Sequence, residues 1–215
     1  MVDIAASIMC ADLANIREEI NNIEKAGVDA IHVDVMDGHF VRNFTLGPNM
    51  VSAIKRCTEL PVHVHMMVLE PMIYFERFIE HGADTILFHI ESTENIDESV
   101  DFLDATNTKV GLAISPDTPI GLLEPFLNRL DTIAVMGVNP GFSGQRLLSS
   151  AIERIKDVAY LRETTNQQFD IIVDGGVNID NAKKIIKAGA DQLVSGSCLF
   201  KSTDYKKIMK QMKGK

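Results

Sequence analysis

Two short segments place histidine and aspartate at every second position, a spacing that suits a metal or acid–base site. One reads Ile-His-Val-Asp-Val-Met over residues 31–36, and the other reads Val-His-Val-His over residues 62–65. A β-strand has a side-chain period of two, so His32 and Asp34 would share one face, as would His63 and His65. If both strands turn these faces inward, imidazoles and a carboxylate converge on one site.

A second carboxylate, Asp174, ends the apolar run at residues 170–174 and is followed by two glycines. Together with His32, Asp34 and His65 it makes a set of two imidazoles and two carboxylates. Such a set suits one divalent transition metal ion, and zinc, iron, manganese and cobalt are all compatible with it. Without a metal, two carboxylates so close together would compete for a proton.

The elements that must position these side chains alternate along the chain. Short β-branched apolar runs predict eight strands, each followed by a segment of helical periodicity. The strands are expected at residues 3–9, 29–35, 61–67, 84–90, 108–114, 131–137, 170–174 and 191–195. The helices are expected at residues 12–26, 48–57, 71–81, 96–105, 119–128, 146–164, 178–188 and 203–213.

Strict alternation of strands and helices predicts a parallel sheet. Eight units of about 27 residues, with no Gly- or Ser-rich linker between them, favour an α/β fold with a single (β/α)8 TIM barrel over a doubly wound sheet. The barrel would occupy residues 1–215 as one domain. A short repeated motif supports the alternation, because residues 27–29, 82–84 and 189–191 each place a glycine at a helix end shortly before an aspartate.

In such a barrel the chemistry lies at the carboxyl ends of the strands. Asp34 and Asp174 belong to strands two and seven, so their side chains would face each other across the mouth. Opposed carboxylates suit two-base chemistry, in which one removes a proton from a carbon beside a ketone and the other returns a proton to the opposite face. A bound metal would polarise the carbonyl group. No lysine falls at the mouth end of a strand, which argues against a Schiff-base enzyme.

Glycine-rich loops follow three neighbouring strands and suggest a phosphate site. They are residues 139–145 after strand six, Gly175 and Gly176 after strand seven, and residues 195–197 after strand eight, where a short helix is expected to begin. Glycines let backbone N–H groups approach an anion, and a helix N-terminus adds a favourable dipole. We therefore expect a phosphorylated substrate.

The composition excludes several classes of partner. The 215 residues carry 21 Lys plus Arg against 30 Asp plus Glu, a net charge of −9, so nucleic-acid binding is not expected. No apolar run is long enough to span a membrane, and residues 1–4 lack a cationic leader, which predicts a cytoplasmic protein with no membrane partner. Three scattered cysteines form neither a disulfide framework nor a metal-binding motif.

The sequence resembles the ribulose-phosphate 3-epimerase family, whose members act on pentulose and hexulose phosphates, over almost its whole length. The matching stretches are residues 7–9, 11–12, 32–41, 65–68, 138–145, 173–177 and 195–197. The resemblance implies a metal-dependent isomerase of carbohydrate metabolism, in the pentose phosphate pathway, that interconverts D-ribulose 5-phosphate and D-xylulose 5-phosphate by inverting C3. It also suggests a homo-oligomer, either a dimer or a hexamer.

The resemblance implies roles for individual residues. His32, Asp34, His65 and Asp174 would bind the metal, with Asp34 and Asp174 as the acid–base pair. Substrate contacts are implied for Ser7, His65, Gly141, Phe142, Ser143, Gly144, Asp174, Gly175, Gly176, Gly196 and Ser197. The methionines at three strand ends, Met36, Met67 and Met136, would line the pocket around the reacting carbons.

Four positions depart from the family's usual pattern, namely Arg42, His63, Gly137 and Ser143. None is an expected metal ligand or base, so the chemistry is retained. The sugar is left open between the five-carbon substrate and the six-carbon allulose 6-phosphate. A catalytically silent barrel that binds a sugar phosphate is a further alternative.

Three polar residues near the expected site have no assigned chemistry. We expect Asp37 to organise the turn after strand two, and His39 in the same turn is unassigned. His89, at the end of strand four, is a candidate neighbour of the site.

Overall fold

The computed structural model describes residues 2–214 and contains eight parallel β-strands that close into a barrel in chain order. The strands are β1 (Asp3–Ser7), β2 (Ala30–Met36), β3 (Val62–Met67), β4 (Thr85–His89), β5 (Lys109–Ile114), β6 (Thr132–Met136), β7 (Asp170–Asp174) and β8 (Gln192–Ser195). Each lies within two residues of its predicted range. The (β/α)8 barrel expected from the sequence is therefore confirmed.

Helices follow the strands and pack around the barrel. They are α1 (Ile16–Lys25), α2 (Pro48–Lys55), α3 (Met72–Glu80), α4 (Ile96–Asp104), α5 (Ala151–Thr165), α6 (Ala182–Ala188), the short α7 (Ser197–Phe200) and α8 (Tyr205–Met212). A short 3₁₀-helix, Leu13–Asn15, precedes α1, and Asp12 caps it by accepting a hydrogen bond from Ala14 N. Within residues 2–214, no helix is both long and apolar enough to cross a membrane.

The helices predicted at residues 12–26 and 178–188 begin four residues later as α-helices, and two other predicted helices differ more from the structure. The segment Ile120–Arg129 is a 3₁₀-helix rather than an α-helix, and it contains Pro125, whose ring nitrogen cannot donate the hydrogen bond of an α-helix interior. The helix predicted at residues 146–164 begins only at Ala151. Residues 146–150 instead continue the loop after β6, where Leu148 N donates to Gly137 O over 2.9 Å.

The strands bury two separate apolar layers. Ile31, Val33 and Val35 belong to the large core between the strands and the helices, as the period of two in β2 predicts. Inside the barrel lies a smaller cluster of seven residues, formed by Ala5, Ala30, Leu87, Ala113, Ala134, Ile172 and Val194. Because four of these seven are alanines, the centre of the barrel has room for the larger polar side chains nearer the mouth.

The aspartate of the short repeated motif has a structural function at the end of the barrel opposite the mouth. Each aspartate lies just before an even-numbered strand and accepts a hydrogen bond from a backbone N–H of the preceding strand. These bonds run from Ile4 to Asp29, from Val62 to Asp84, from Val110 to Asp131 and from Ile171 to Asp191, with lengths of 2.7–2.9 Å. The aspartates of the motif therefore link the strands in pairs. Asp131 is a fourth aspartate of this kind, although no glycine precedes it.

The strand register brings the polar residues to one level of the barrel. Asp34 of β2 is paired with His65 of β3, and Asp174 of β7 is paired with Met136 of β6. Ser7, at the end of β1, is paired with His32. The side chains of the expected site thus meet for two reasons: alternation places them on the inner face of each strand, and register places them at the same level.

Candidate active site and metal centre

Four side chains of β2, β3 and β7 converge inside the barrel near its mouth. His32, Asp34, His65 and Asp174 each offer one ligand atom, and these atoms all lie within 4.8 Å of one another. His32 Nε2 lies 3.5 Å from both Asp34 Oδ1 and Asp174 Oδ2. His65 Nδ1 lies 3.3 Å and 3.1 Å from the same two oxygens. The structure therefore brings together the four residues expected to be metal ligands.

The donor set fits a divalent metal ion. His32 is completely buried, and neither of its ring nitrogens has a hydrogen-bond partner among the described residues. A buried polar atom without a partner is costly, and a cation held between Nε2 of His32 and the two carboxylates would remove that cost for Nε2. Imidazole nitrogen and carboxylate oxygen are both ligands of first-row divalent ions. The four residues could therefore hold one such ion.

The metal-free cluster is held by shared protons. Burial by itself would lower the pKa of His32, but the negative charges of Asp34 and Asp174, each 3.5 Å from its Nε2, outweigh burial and raise that pKa to about 10. The pKa of His65 is raised in the same way. Burial would raise the pKa of each aspartate, but the two histidines hold both pKa values below the ordinary range. Both carboxylates are thus ionised, and imidazolium supplies the positive charge that a metal would bring.

Asp34 is held in place by two hydroxyl groups. Ser7 Oγ donates a hydrogen bond of 2.6 Å to Asp34 Oδ2, and Thr45 Oγ1 donates one of 2.6 Å to the backbone oxygen of Asp34. Asp34 Oδ1 is left facing His32 and His65. The two oxygens of this carboxylate therefore have different surroundings, one a neutral hydroxyl and the other the histidine pair.

His65 is supported from behind by His89, the residue at the end of β4 that was a candidate neighbour of the site. The Nε2 atoms of the two rings lie 3.0 Å apart, and the ring planes are inclined by 23° with their centroids 5.1 Å apart. Phe40 packs against the other side of His89, with the ring centroids 4.8 Å apart. Burial lowers the pKa of His89 even though Glu91 acts to raise it, which favours a neutral ring.

A cavity of about 800 Å³ opens above the cluster. Asp34 and Asp174 contribute to its wall, whereas His32 and His65 lie beneath it and are fully buried. Met36, Met67 and Met136 also line it. Every other residue expected to contact substrate is found in the same wall, namely Ser7, Gly141, Phe142, Ser143, Gly144, Gly175, Gly176, Gly196 and Ser197.

The loop after β7 requires its two glycines. Gly175 and Gly176 have φ angles of +98° and +71°, and a Cβ on Gly176 would lie 2.4 Å from the backbone nitrogen of Leu147. Gly137, which stands where the family usually has a hydroxyl residue, is explained by the same packing. A Cβ there would lie 2.3 Å from the oxygen of Gly175. The loops after β6 and β7 are therefore packed backbone against backbone.

The turn after β2 is organised by Asp37, as expected. Its Oδ1 accepts hydrogen bonds from the backbone nitrogens of His39 and Phe40, and its Oδ2 accepts one from Leu69 N in the loop after β3. The side chain of His39 is exposed. Asp37 thus joins two loops at the mouth, and His39 lies outside the cavity wall described above.

His63 shares a face with His65 but lies toward the opposite end of the barrel. It lines a different cavity together with Lys109 and Gln192. Burial, with smaller contributions from the charges of His32 and Lys109, lowers the pKa of His63 to about 4. His63 is therefore a neutral residue of the barrel interior and does not join the cluster at the mouth.

Two cations at the mouth were not anticipated from the sequence. Arg146 and Lys184 are exposed and line the same cavity as the glycine loops. The sequence carried one signal for the first of them, because Arg146 directly follows the glycine-rich loop at residues 139–145. Glu91 was also missed, although it lies two residues after His89 and contacts its ring.

Comparisons with known sequences agree with this geometry. Residues 3–200 match the profile of the Ribulose-phosphate 3 epimerase family. The ribulose-phosphate 3-epimerase of Bacillus subtilis is 39% identical over 215 residues, which cover 100% of this chain and 99% of that protein. The ribulose-phosphate 3-epimerase of Chlamydia trachomatis is 43% identical, covering 92% and 85%. The chloroplastic ribulose-5-phosphate-3-epimerase of Arabidopsis thaliana is 40% identical, covering 98% and 75%.

Comparisons with solved structures agree on the barrel. The crystal structure of KGPDC from Streptococcus mutans superposes with a TM-score of 0.75 at 10% identity, covering 99% of this chain and 95% of that one. The tryptophan synthase A-subunit of Pyrococcus furiosus gives a TM-score of 0.72 at 14% identity, covering 100% and 98%. Sequence identities this low support a shared fold and nothing more.

The family profile and the relatives cover the strands that carry all four clustered side chains. The identity is high over nearly the full length of the first of these relatives. The chain therefore belongs to the ribulose-phosphate 3 epimerase family and is an epimerase, an enzyme of the isomerase class.

Proposed function

We propose that this epimerase is metal-dependent and interconverts D-ribulose 5-phosphate and D-xylulose 5-phosphate by proton transfer at C3. The observation that carries the proposal is the convergence of Asp34 and Asp174 with two imidazoles beneath a cavity lined by glycine loops. The names of the relatives from bacteria and a plant support a ribulose phosphate as the substrate.

Asp34 and Asp174 are proposed to be the two bases. The hydrogen on C3 is acidic because C3 lies beside the C2 ketone. One carboxylate accepts that proton, and the electron pair of the broken C–H bond delocalises onto the carbonyl oxygen to give an enediolate. The other carboxylate, which has taken up a proton from solvent before the substrate binds, donates it to the opposite face of C3 and restores the ketone with inverted configuration, while the abstracted proton stays on the first carboxylate and is released to solvent. Both pKa values lie below the ordinary range in the metal-free chain, so a proton-accepting form is available.

His32, Asp34, His65 and Asp174 would hold one divalent ion, and zinc, iron, manganese and cobalt all suit this donor set. When bound, the ion would supply Lewis-acid polarisation of the C2 carbonyl and stabilise negative charge on oxygen. His32 and His65 then act as neutral ligands, which leaves proton transfer to the two carboxylates.

The rest of the cavity is proposed to bind and orient the sugar phosphate. Ser7 would contact the sugar near the reacting carbons, and Met36, Met67 and Met136 would shield them from water. His65, for which the resemblance implied a substrate contact, is fully buried beneath the cavity and would act through the metal instead. The phosphate would be held by backbone groups of the three glycine loops, with side-chain help from Ser143 and Ser197. These loop residues are Gly141, Phe142, Ser143, Gly144, Gly175, Gly176, Gly196 and Ser197.

The substrate can be tested by comparing two ketose phosphates. We expect kcat/KM for D-ribulose 5-phosphate to exceed that for D-allulose 6-phosphate, measured with the metal content of the same preparation determined in parallel. A preference for the six-carbon sugar would replace the proposed substrate while leaving the mechanism in place.

The two-base assignment can be tested with Asp34→Asn and Asp174→Asn in heavy water. Each variant should lose epimerisation but retain slow exchange of the C3 hydrogen in one epimer, and the exchanging epimer should differ between the two variants. Asp12→Asn, which changes an exposed capping residue, should behave like the wild-type chain. Full epimerase activity in either of the two active-site variants would refute the assignment, and no C3 exchange by the wild-type chain would indicate a silent barrel.

We also propose that residues 1–215 form one epimerase domain that acts in the cytoplasm as a homodimer or homohexamer, without nucleic-acid or membrane partners. Light scattering of the purified chain would determine the number of copies. A monomeric mass would refute the proposed assembly without affecting the proposed chemistry.

A further inference from the structure

A chain of three polar side chains leads from the metal cluster to the protein surface. It starts at His65, whose Nε2 atom lies 3.0 Å from Nε2 of His89. His89 Nδ1 in turn lies 3.0 Å from Glu91 Oε2. Both histidines are completely buried, and the Glu91 side chain is 26% exposed. Ser115 Oγ lies farther from His89 Nδ1, at 3.4 Å, so Glu91 is the nearer partner of this ring on the side away from His65.

The Glu91 side chain is held in its orientation by hydrogen-bond donors from the loop after β5. Its Oε1 accepts a hydrogen bond of 2.8 Å from Ser115 N and another from Thr118 Oγ1. The backbone oxygens of Ser115 and Thr118 accept hydrogen bonds from the guanidinium group of Arg154 in α5, at 3.1 Å and 2.7 Å. Because Oε1 is committed to these two donors, Oε2 is the oxygen that faces His89.

The order of donors and acceptors along this chain follows from elementary chemistry. An ionised carboxylate can only accept, so Nδ1 of His89 must carry the hydrogen that points at Glu91. His89 donates through Nδ1 and accepts through Nε2 in the 3.0 Å contact between the two rings, so His65 carries a hydrogen on Nε2. With a metal ion bound, His65 would be a neutral ring, so its Nδ1, which faces Asp34 and Asp174, would present its lone pair to the ion.

We propose that Glu91, acting through His89, is a positioning residue that fixes the tautomer and ring orientation of His65 so that Nδ1 is presented to the metal. The inference rests on the proposed metal site. It adds that metal affinity depends on a carboxylate that contacts no metal ligand directly, which couples the loop after β5 to the centre. Hydrogen bonds to the outer nitrogen of a metal-binding histidine have this effect in general.

Glu91→Gln tests the direction of the chain with almost no change in shape. Ser115 N–H and Thr118 O–H still need an acceptor, so the amide oxygen of Gln would take the place of Oε1. The amide NH2 would then point at His89 Nδ1 and reverse the preferred tautomer of both rings, placing hydrogen on Nδ1 of His65. We expect metal-stripped Glu91→Gln to bind Zn²⁺ about 10- to 100-fold more weakly than the wild-type chain, measured by competition with a chromophoric chelator.

Two control variants separate this effect from a general disturbance. Thr118→Val removes one hydrogen bond to Glu91 but keeps the carboxylate, and Glu70→Gln makes the same substitution at a residue bonded to Thr93 instead. Glu70→Gln should retain wild-type Zn²⁺ affinity, and Thr118→Val, in which Ser115 N still donates to Glu91 Oε1, should lose less affinity than Glu91→Gln. Equal affinities in Glu91→Gln and the wild-type chain would overturn the inference, as would an equal loss in Thr118→Val.

A measurement on the wild-type chain keeps the inference testable even if Glu91→Gln does not fold. In the Zn²⁺-loaded protein with ¹⁵N-labelled histidine, NMR should show His65 protonated on Nε2 and His89 protonated on Nδ1. The opposite tautomer at His89 would overturn the inference. Failure of the wild-type chain to bind Zn²⁺ or the other divalent ions would refute the proposed metal dependence as well, so the two failures are distinguishable.

Discussion

Ser7 Oγ donates a 2.6 Å hydrogen bond to Oδ2 of Asp34, and both side chains are buried on neighbouring strands of the barrel. The other oxygen of Asp34 faces His32 and His65. The hydroxyl therefore stabilises the ionised carboxylate from the side away from the histidines, which is the form that accepts a proton from C3.

Ser7→Ala should weaken catalysis by raising the pKa of Asp34. A hydrogen bond to a charged group contributes about 1.5–3 kcal/mol, so kcat/KM should fall by roughly 10- to 100-fold, with the acid limb of its pH profile moved to higher pH. Ser99→Ala, which removes an equally buried hydroxyl bonded to Asn95 O, should leave the acid limb in place. An unmoved acid limb in Ser7→Ala would show that Ser7 does not tune this carboxylate.

Metal binding should release protons and strengthen as the pH rises. The neighbouring carboxylates outweigh the effect of burial and raise the pKa of His32 to about 10, so His32 is protonated near neutral pH in the metal-free chain, and they also raise the pKa of His65. A metal ion can bind only the neutral forms of these two rings, and the affinity should rise about tenfold per pH unit for each proton displaced, up to that pKa. Calorimetry in buffers of different ionisation enthalpy counts these protons, and zero released would contradict the protonated cluster.

Removal of the metal should abolish turnover reversibly. We expect a chelator to stop epimerisation and a divalent ion to restore it, because the two carboxylates alone do not polarise the C2 carbonyl. Circular dichroism should show that the barrel remains folded without metal, since the imidazolium–carboxylate contacts hold the cluster together. Full activity in a preparation shown to be metal-free would refute the proposed metal dependence.

Gly176→Ala should impair phosphate binding. The residue has a φ of +71°, and its new Cβ would lie 2.4 Å from Leu147 N, so the loop after β7 must shift. We expect a higher KM for the sugar phosphate and a stability loss of about 1–3 kcal/mol. Gly121→Ala is a matched control, because a Cβ there meets only Glu124 Oε1 at 3.6 Å. An unchanged KM in Gly176→Ala would remove this loop from the phosphate site.

His63 should make the folded chain sensitive to mild acid. Burial lowers its pKa to about 4 from 6.5, so the unfolded chain binds the proton more readily and stability is present above pH 6.5. That stability, on the order of 3 kcal/mol, should be lost as the pH falls from about 6.5 to 4. Urea unfolding at pH 7 and pH 4.5 should show a smaller loss for His63→Asn than for the wild-type chain. Equal losses would contradict a neutral, buried His63.

Local patterns in the sequence were sufficient for the barrel and for the face of each strand on which the clustered side chains lie. Alternation in β2 determines that His32 and Asp34 point inward, because the opposite face carries Ile31, Val33 and Val35, which pack against the helices. The periodicities of two and 3.6 are properties of neighbouring residues, so they can be recognised without any tertiary contact. The 3₁₀-helix that contains Pro125 also has a local cause. Its apolar residues recur with a helical period, however, and this period predicts an α-helix despite the proline.

Long-range packing decided the rest, because its causes lie far apart in the chain. Gly137 is required by the oxygen of Gly175, and the tautomer of His65 depends on Glu91 and on loop residues around position 115. His63 and His65 are indistinguishable by period, yet only His65 lies at the level of the two carboxylates. Position along the barrel axis is set by register between strands, and register emerges only when all eight strands close together.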